Sequence, residues 1–442
     1  MALVAGIVCT QRACTVLVRD VGSGRVMRSG AARHDTSPQV HPGVWWDSMR
    51  QALEQAGGLA DVSAVSVVGT AHSVVFLDAD GAVIGPSPVG VPAHRAATHL
   101  ITEFGTGDLI ERVGGVPTSA TPAALVRWWC HEHPDAAARL AALALPHEWL
   151  AWRLRGGGAG QDPTALVTDR SAASLTGMFN LVTGRYDQDI VRVVAGREVL
   201  LPRPLLPGEL GGRATDGLIV APGAGHTAAA ALGLALRPGD AVVDLGAVGT
   251  VAAVWTGTPV AGRVQFASDA DAHLLALAPA PSAARELAAG AQLLGVDGSG
   301  LAQLALQSPP GSNGVVSIDG TLRGALDAAR SDVARAVIEG VLAGQAEALA
   351  LLGNAGINVT RVVLTGVAAR NAAVIQVAPT VINAAIEVPV TSDHALDGAA
   401  AQAAWVLQGA RPAWIPAMAA RMAPDVQPDI ARARRHLRLR LS

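Results

Sequence analysis

The chain contains no lysine: its 442 residues include 33 of the lysine and arginine class, and all of these are arginines. This excludes a nucleotide site built on the lysine of a P-loop, whose ammonium group contacts the phosphates. Cysteine is also scarce. Cys9, Cys14 and Cys130 form an odd, scattered set, which predicts no disulfide framework and a protein of the reducing cytoplasm.

The sequence also has few features of membrane or nucleic-acid binding. No apolar run approaches the ~20 residues of a membrane span. The first residues, MALVAGIVCTQR, lack the basic start and the cleavage site of a signal peptide. A formal net charge of −3 gives no reason to expect nucleic acid or an anionic membrane as a partner. The basic stretch RARRHLRLRLS at the C-terminus predicts a solvated final helix.

The order of the apolar segments is that of a mixed α/β protein. Residues 4–20 (VAGIVCTQRACTVLVRD) and 241–255 (AVVDLGAVGTVAAVW) each predict a strand, a tight turn and a second strand. Because each hairpin opens an α/β half, the sequence indicates an internal duplication, with domains at residues 1–222 and 223–442. We also expect a strand at residues 24–32, a helix at 44–57, a helix at 124–145 broken near Pro134, and a last helix from Asp397.

Several longer stretches carry motifs in a characteristic order. They read HPGVWWDSMRQAL, LPHEWLAWRLRGG, TDRSAASLTGMFNLVTGRYD, LTGVAARNAAVIQ and DGAAAQAAWV. Together they resemble the FGGY family of carbohydrate kinases, closest to its xylulokinases. The resemblance implies two duplicated RNase-H-like domains of the actin/hexokinase ATPase type, which flank a central cleft.

The same resemblance implies a reaction and its cofactors. ATP and Mg²⁺ would lie in the cleft beside a ketopentose, such as xylulose, or another polyol. An aspartate of the family takes the proton from a sugar hydroxyl as that hydroxyl attacks the γ-phosphorus, which gives the sugar 5-phosphate. A homodimer is compatible with the sequence.

The candidate general base is His226. The family's base loop reads Gly-Gly-Gly-Asp-Asn, and the corresponding residues here are Gly223-Ala224-Gly225-His226-Thr227. A neutral imidazole can accept a proton, so His226 can replace the aspartate as base. The alternative interpretation is that His226 only caps the helix that follows.

The candidate nucleotide contacts come from two hairpin turns and one loop. By the resemblance they are Thr10, Gly246, Gly249, Thr250, Gly366 and Asn371. Asp244, just before the second turn, could offer a carboxylate to a metal ion; the alternative is an aspartate that only ends its strand.

The candidate sugar contacts are His72 and Arg95. His72 lies in GTAHS, which resembles the family's strand with a sugar-contacting histidine. The family's polar Trp-Asn-Asp-x-Arg stretch falls on residues 89–95, VGVPAHR, where only Arg95 keeps its type. A site that reads sugar hydroxyls needs such polar groups.

The chain departs from the family pattern at the phosphate turns as well. Val8 and Cys9 stand where the family has the aspartate and glycine of the first turn, and Ala247 and Val248 replace hydroxyl residues of the second. Two hypotheses follow. The protein is either an enzyme of altered efficiency that uses His226 and Asp244, or a pseudokinase without cofactor that binds a ligand or a partner.

Two further motifs suggest other functions. Gly223, Gly225 and Ala229 followed by Asp244 imitate a dinucleotide-binding fingerprint, but they lie in a region that the kinase resemblance already explains. The run Cys130-His131-Glu132-His133 resembles a metal cluster. Its spacing does not bring the side chains to one ion, so we interpret it as a solvated helix end.

Overall fold

The computed structural model describes residues 2–260, 264–271, 273–318, 320–324, 327–391, 393–427 and 430. Within these residues the chain forms two seven-stranded sheets, each covered by helices. The predicted mixed α/β architecture is confirmed.

The first half of the chain builds the first large sheet and several short strand pairs. Its strands are β1 (Leu3–Cys9), β2 (Ala13–Asp20), β3 (Val26–Arg33), β4 (Gln39–Val40), β5 (Val62–Gly69), β6 (Val75–Leu77), β7 (Ser87–Pro88), β8 (Ala142–Ala144), β9 (Val167–Asp169), β10 (Phe179–Asn180), β11 (Arg185–Tyr186), β12 (Arg203–Leu205), β13 (Gly212–Arg213), β14 (Ile219–Val220) and β15 (Ala224–Gly225). Its helices are α1 (Gly43–Gln55), α2 (His94–Phe104), α3 (Thr106–Val113), α4 (Pro122–Glu132), α5 (Pro134–Ala137), α6 (Pro146–Leu154), α7 (Arg170–Ser174) and α8 (Gln188–Ala195).

The second half builds the second large sheet. Its strands are β16 (Asp240–Asp244), β17 (Thr250–Trp255), β18 (Gln265–Ser268), β19 (Leu274–Pro279), β20 (Val316–Ile318), β21 (Thr321–Arg323), β22 (Arg361–Thr365), β23 (Ala385–Pro389) and β24 (Met418–Met422). Its helices are α9 (His226–Gly233), α10 (Ala283–Leu293), α11 (Gly298–Ala305), α12 (Arg330–Asn354), α13 (Ala372–Val381) and α14 (His394–Gln408).

The two large sheets share one strand pattern. In the first, β1 pairs antiparallel with β2 and parallel with β5. In the second, β16 pairs antiparallel with β17 and parallel with β22. Each half therefore opens with a hairpin whose first strand lies centrally in its sheet, as the duplication predicted. All seven residues of β1 are buried, because other segments of the protein cover both faces of this strand.

Helices α9 and α14 pack between the two sheets. Their apolar residues form one cluster with Val8 and Val68 of the first sheet and with Val242 and Val363 of the second. A Cβ added to Gly6 in β1 would lie 2.5 Å from the Leu396 carbonyl oxygen, so α14 rests directly on the strand. This packing holds the ends of β1 and β16 on either side of the two helices.

Helix α12 is long and apolar enough by composition to span a membrane, the one such helix in the described part of the chain. Of its most apolar 18-residue window, 67% is buried inside the protein. That burial is expected of the central helix of a protein core.

Most of the predicted elements form, with shifted ends. The strand expected at 24–32 is β3 and the helix expected at 44–57 is α1. The helix expected at 124–145 is wrong at its C-terminal end: α4 stops at Glu132, α5 follows Pro134, and residues 142–144 form β8. The last helix begins at His394, not at Asp397, because the Asp393 carboxylate caps it by accepting the Leu396 N–H. The basic stretch RARRHLRLRLS lies outside the described residues.

The prediction that the cysteines do not pair is wrong for Cys9 and Cys14. These residues lie opposite each other at the end of the β1–β2 hairpin, with Cα atoms 4.2 Å apart, and form a disulfide. The prediction was based on the rarity of disulfides in the reducing cytoplasm. The two cysteines nevertheless pair because they flank a tight turn and so become cross-strand neighbours. Cys130 is free.

Candidate active site

His226 is the first residue of α9, directly after the base loop. Gly225 occupies the N-cap position, and no side-chain hydrogen bond caps this helix. The His226 side chain is therefore not the helix cap that the alternative interpretation assumed. It is exposed to solvent, yet the surrounding protein removes enough water to lower its pKa. The negative charge of Asp393 opposes this shift and His72 reinforces it. A lowered pKa leaves the imidazole neutral at pH 7, the form that accepts a proton.

His72 lies in the loop between β5 and β6, and its side chain is exposed. Desolvation lowers its pKa against the effect of a hydrogen bond to the backbone of Ala120. Because the charge of His72 acts on His226, the structure places the candidate sugar contact and the candidate base in one region. Arg95 is exposed in the first turn of α2 and is not among the groups that shift the pKa of either histidine.

Asp244 ends β16 where the second hairpin meets the loop that follows β22 and begins at Gly366. Its side chain is half-buried and accepts the N–H of Gly246; burial raises its pKa. A Cβ at Gly366 would lie 2.6 Å from Asp244 Oδ1, and the φ of Gly366 is 85°, a conformation that favours glycine. The loop backbone thus passes directly over the carboxylate.

The fit of a magnesium ion rests on the same carboxylate. Across the described ranges no three His, Cys, Asp or Glu side chains are grouped to hold a metal. Mg²⁺ commonly takes one or two carboxylates and completes its shell with phosphate oxygens and water. Asp244 fits this type of site as its one protein ligand, whereas Val8, buried at 4% exposure, offers no oxygen.

The turn of the second hairpin has an apolar surface. Val248 is 74% exposed there, and Val367 of the neighbouring loop is 72% exposed. A Cβ at Gly249 would lie 2.1 Å from the Pro281 carbonyl oxygen, so this glycine is required by packing as well. Gly246 accepts a hydrogen bond from the Ala284 N–H, 3.2 Å away, which fixes the turn against α10. Thr250 begins β17 as the cross-strand neighbour of Asp244.

Two of the candidate nucleotide-binding residues form side-chain hydrogen bonds with the backbone of the protein itself. Thr10 Oγ1 donates to the Ala13 carbonyl oxygen, 3.1 Å away, and closes the first hairpin turn. Asn371 Oδ1 accepts the N–H groups of Ala373 and Val374 and caps α13, while its Nδ2 donates to the Gly298 carbonyl oxygen. Nucleotide contact by either residue stays a prediction.

Sequence reasoning missed Asp393 and the residues that hold the base loop. Asp393 escaped notice because the last helix was expected to begin four residues later. An aspartate followed by a helical run is the signal that could have found it. Ser171 accepts the Gly225 N–H and Gln402 donates to the Gly223 carbonyl oxygen. These contacts join residues far apart in the sequence, and no local pattern indicates them.

Comparison with known proteins agrees with this architecture. Residues 28–229 match the model of the N-terminal domain of the FGGY family of carbohydrate kinases. The xylulose kinase of Streptomyces coelicolor is 33% identical over 92% of this chain and 88% of its own, and that of Streptomyces rubiginosus is 33% identical over 93% and 89%. The crystal structure of xylulose kinase from Bifidobacterium adolescentis superimposes with a TM-score of 0.91 at 32% identity, covering 99% of both chains. The chain belongs to the FGGY family of carbohydrate kinases and has its two-domain actin/hexokinase-like fold.

Proposed function

We propose that the protein transfers the γ-phosphoryl group of ATP to a ketopentose such as xylulose, with His226 as the general base, and at a rate well below that of family members with the usual aspartate. The observation that carries the proposal is that the charge of His72 acts on the pKa of His226, which indicates that the two histidines lie near each other. A base must lie within reach of the hydroxyl whose proton it takes, and His72 is the residue assigned to sugar contact.

The steps assigned to this chain are few. The sugar hydroxyl oxygen attacks the γ-phosphorus, the bond between that phosphorus and the β–γ bridging oxygen breaks, and ADP leaves. The His226 imidazole accepts the hydroxyl proton, which its lowered pKa permits at pH 7. Mg²⁺, when bound, supplies charge neutralisation on the phosphates. Asp244 is the residue that would hold it, and the backbone at Gly246 and Gly249 would approach the phosphates.

We infer the low rate of phosphoryl transfer from the residues that would contact the nucleotide. Phosphoryl transfer depends on groups that position and neutralise the triphosphate. Val8 and Ala247 supply no polar side chain, and Val248 presents a methyl-bearing surface to solvent. Burial also raises the pKa of Asp244, which disfavours the charged form that binds a cation.

The same observations favour a second candidate, a pseudokinase. In that case the region around His72 and His226 would bind a pentulose-like ligand without turnover, and the protein would act through a partner. For either function we place the protein in the cytoplasm. The domain boundary after residue 222 stays a prediction, and β15, just beyond it, still pairs with β5 of the first sheet.

The experiment that separates the candidates measures ADP release with Mg·ATP and a panel of pentuloses. We expect turnover that depends on the pentulose, and a loss of roughly 10²–10⁴ in kcat for His226→Ala. His131→Ala is the control, since His131 is 86% exposed at the end of α4. Absence of saturable Mg·ATP binding by calorimetry, together with absence of ADP release, would refute the kinase proposal. Retained pentulose binding would then support the pseudokinase.

A further inference from the structure

The base loop is fixed to three different elements immediately before His226. Strand β15 pairs in parallel with the end of β5. The Gly225 N–H donates to Ser171 Oγ of α7, 2.9 Å away, and Gln402 Nε2 of α14 donates to the Gly223 carbonyl oxygen, 2.7 Å away. The contact with Ser171 is a side-chain hydrogen bond to Gly225, the residue immediately before His226.

Ser171 is itself oriented by Asp169. The Ser171 hydroxyl donates to Asp169 Oδ1, which leaves its oxygen lone pairs for the Gly225 N–H. Asp169 Oδ1 also accepts the Ala172 N–H, 2.7 Å away, as the N-cap of α7. Both side chains are buried, at 2% and 4% exposure, so water does not compete for these bonds.

The chain of contacts continues through His147 and returns to the base loop. Asp169 Oδ2 lies 3.4 Å from His147 Nε2. A Cβ at Gly69 would lie 2.8 Å from His147 Cβ, and one at Gly223 would lie 3.2 Å from its ring. Burial acts to lower the pKa of His147, but the hydrogen bond with Asp169 and the charge of Glu148 outweigh it and raise the pKa. His147 thus contacts Asp169 through Nε2 and lies against both Gly69 and Gly223.

We propose that Ser171, held by Asp169 and His147, is the positioning residue for the general base. The closed path from Gly225 through Ser171, Asp169 and His147 to Gly223 fixes both ends of the loop that presents His226. This inference rests on the proposed function, because it assigns the network to the orientation of that base.

The chain offers a matched control in the same short helix. Ser174 is 1% exposed, donates to the Ser171 carbonyl oxygen (2.7 Å) and accepts the Ser268 N–H (2.9 Å). Its partner N–H belongs to β18 and not to the base loop. Ser174→Ala therefore removes the same kind of buried hydroxyl as Ser171→Ala, while the Gly225 N–H keeps its acceptor.

The test combines amide hydrogen exchange of residues 225–228 with steady-state kinetics of the full-length variants. For Ser171→Ala we expect exchange at least tenfold faster in this segment, kcat about tenfold lower, and a KM for the pentulose within twofold of wild type. For Ser174→Ala we expect a comparable fall in Tm but neither effect. Equal exchange in the two variants would overturn the inference, and so would an equal fall in kcat. Hydrogen exchange needs no turnover, so the inference is tested even if the wild type releases no ADP, an outcome that would refute the proposed function alone.

Discussion

Gly398 of α14 lies directly against Ala229 of α9 where the two helices cross between the sheets. A Cβ built on Gly398 would stand 1.8 Å from the Ala229 carbonyl oxygen. On the same crossing, a Cβ at Gly233 would stand 2.1 Å from the His394 carbonyl oxygen. No side chain separates the backbones at these points. The position of α9, and with it that of His226, therefore depends on two glycines.

We expect Gly398→Ala to lower the free energy of unfolding by at least about 1–3 kcal/mol, because backbone atoms must move to admit the methyl group. Gly353→Ala in α12 is the matched control: this helical glycine has open space around its Cβ position. Alanine there should stabilise the helix by roughly 0.5–1 kcal/mol. Denaturant unfolding of both variants measures the difference, and a Gly398→Ala protein as stable as wild type would contradict this description of the crossing.

The sequence was sufficient to predict the two hairpins and the duplication, because buried strands such as β1 are continuous apolar runs bounded by turn residues. The assignment of His72 to the sugar and of His226 to the general base comes from the family resemblance and stays a prediction. The sequence could not predict the contact of Gly225 with Ser171, which spans 54 residues. Pairing of this kind depends on tertiary packing, which leaves no periodic signal. The start of α14 was missed for a local reason, since a single capping aspartate decides it.

The disulfide between Cys9 and Cys14 predicts how the thiols react. Alkylation of the unfolded, unreduced protein should modify Cys130 alone, and prior reduction should expose all three cysteines. Closing so short a loop stabilises a folded chain by at most about 2 kcal/mol in the loop-entropy account, so reduction should lower the Tm modestly. Mass spectrometry counts the alkyl groups. Cys130→Ser, which retains the disulfide, should show none before reduction; three modified thiols in the unreduced wild type would exclude the pairing.

Acid should destabilise the protein in part through His226. Because desolvation lowers the pKa of this residue in the folded state, the unfolded chain binds the proton first. The contribution of His226 to the free energy of unfolding is complete above about pH 6.5, the ordinary pKa of histidine. This contribution is lost as the pH falls through the pKa of the folded state. His226→Gln should therefore lose less stability than wild type between pH 7 and pH 5, as measured by urea unfolding at each pH. His131→Gln controls for removal of a histidine elsewhere; identical slopes for His226→Gln and wild type would be inconsistent with a desolvated imidazole.

A hydroxyl at position 248 should improve nucleotide binding. Val248 lies at the turn that would face the phosphates, and at 74% exposure it contributes little to the core. Val248→Ser adds a donor for a phosphate oxygen. A hydrogen bond to a charged group is worth about 1.5 kcal/mol or more, so the Kd for Mg·ATP should fall about tenfold.

Val182→Ser makes the same change at 76% exposure, in the turn between β10 and β11, and should leave the Kd unchanged. Both variants should unfold within about 0.5 kcal/mol of wild type, as expected for surface substitutions. Calorimetric titration measures the affinities. If Val248→Ser binds Mg·ATP no more tightly than Val182→Ser, the second hairpin turn does not contact the triphosphate, and the nucleotide side of the proposed site must be sought elsewhere.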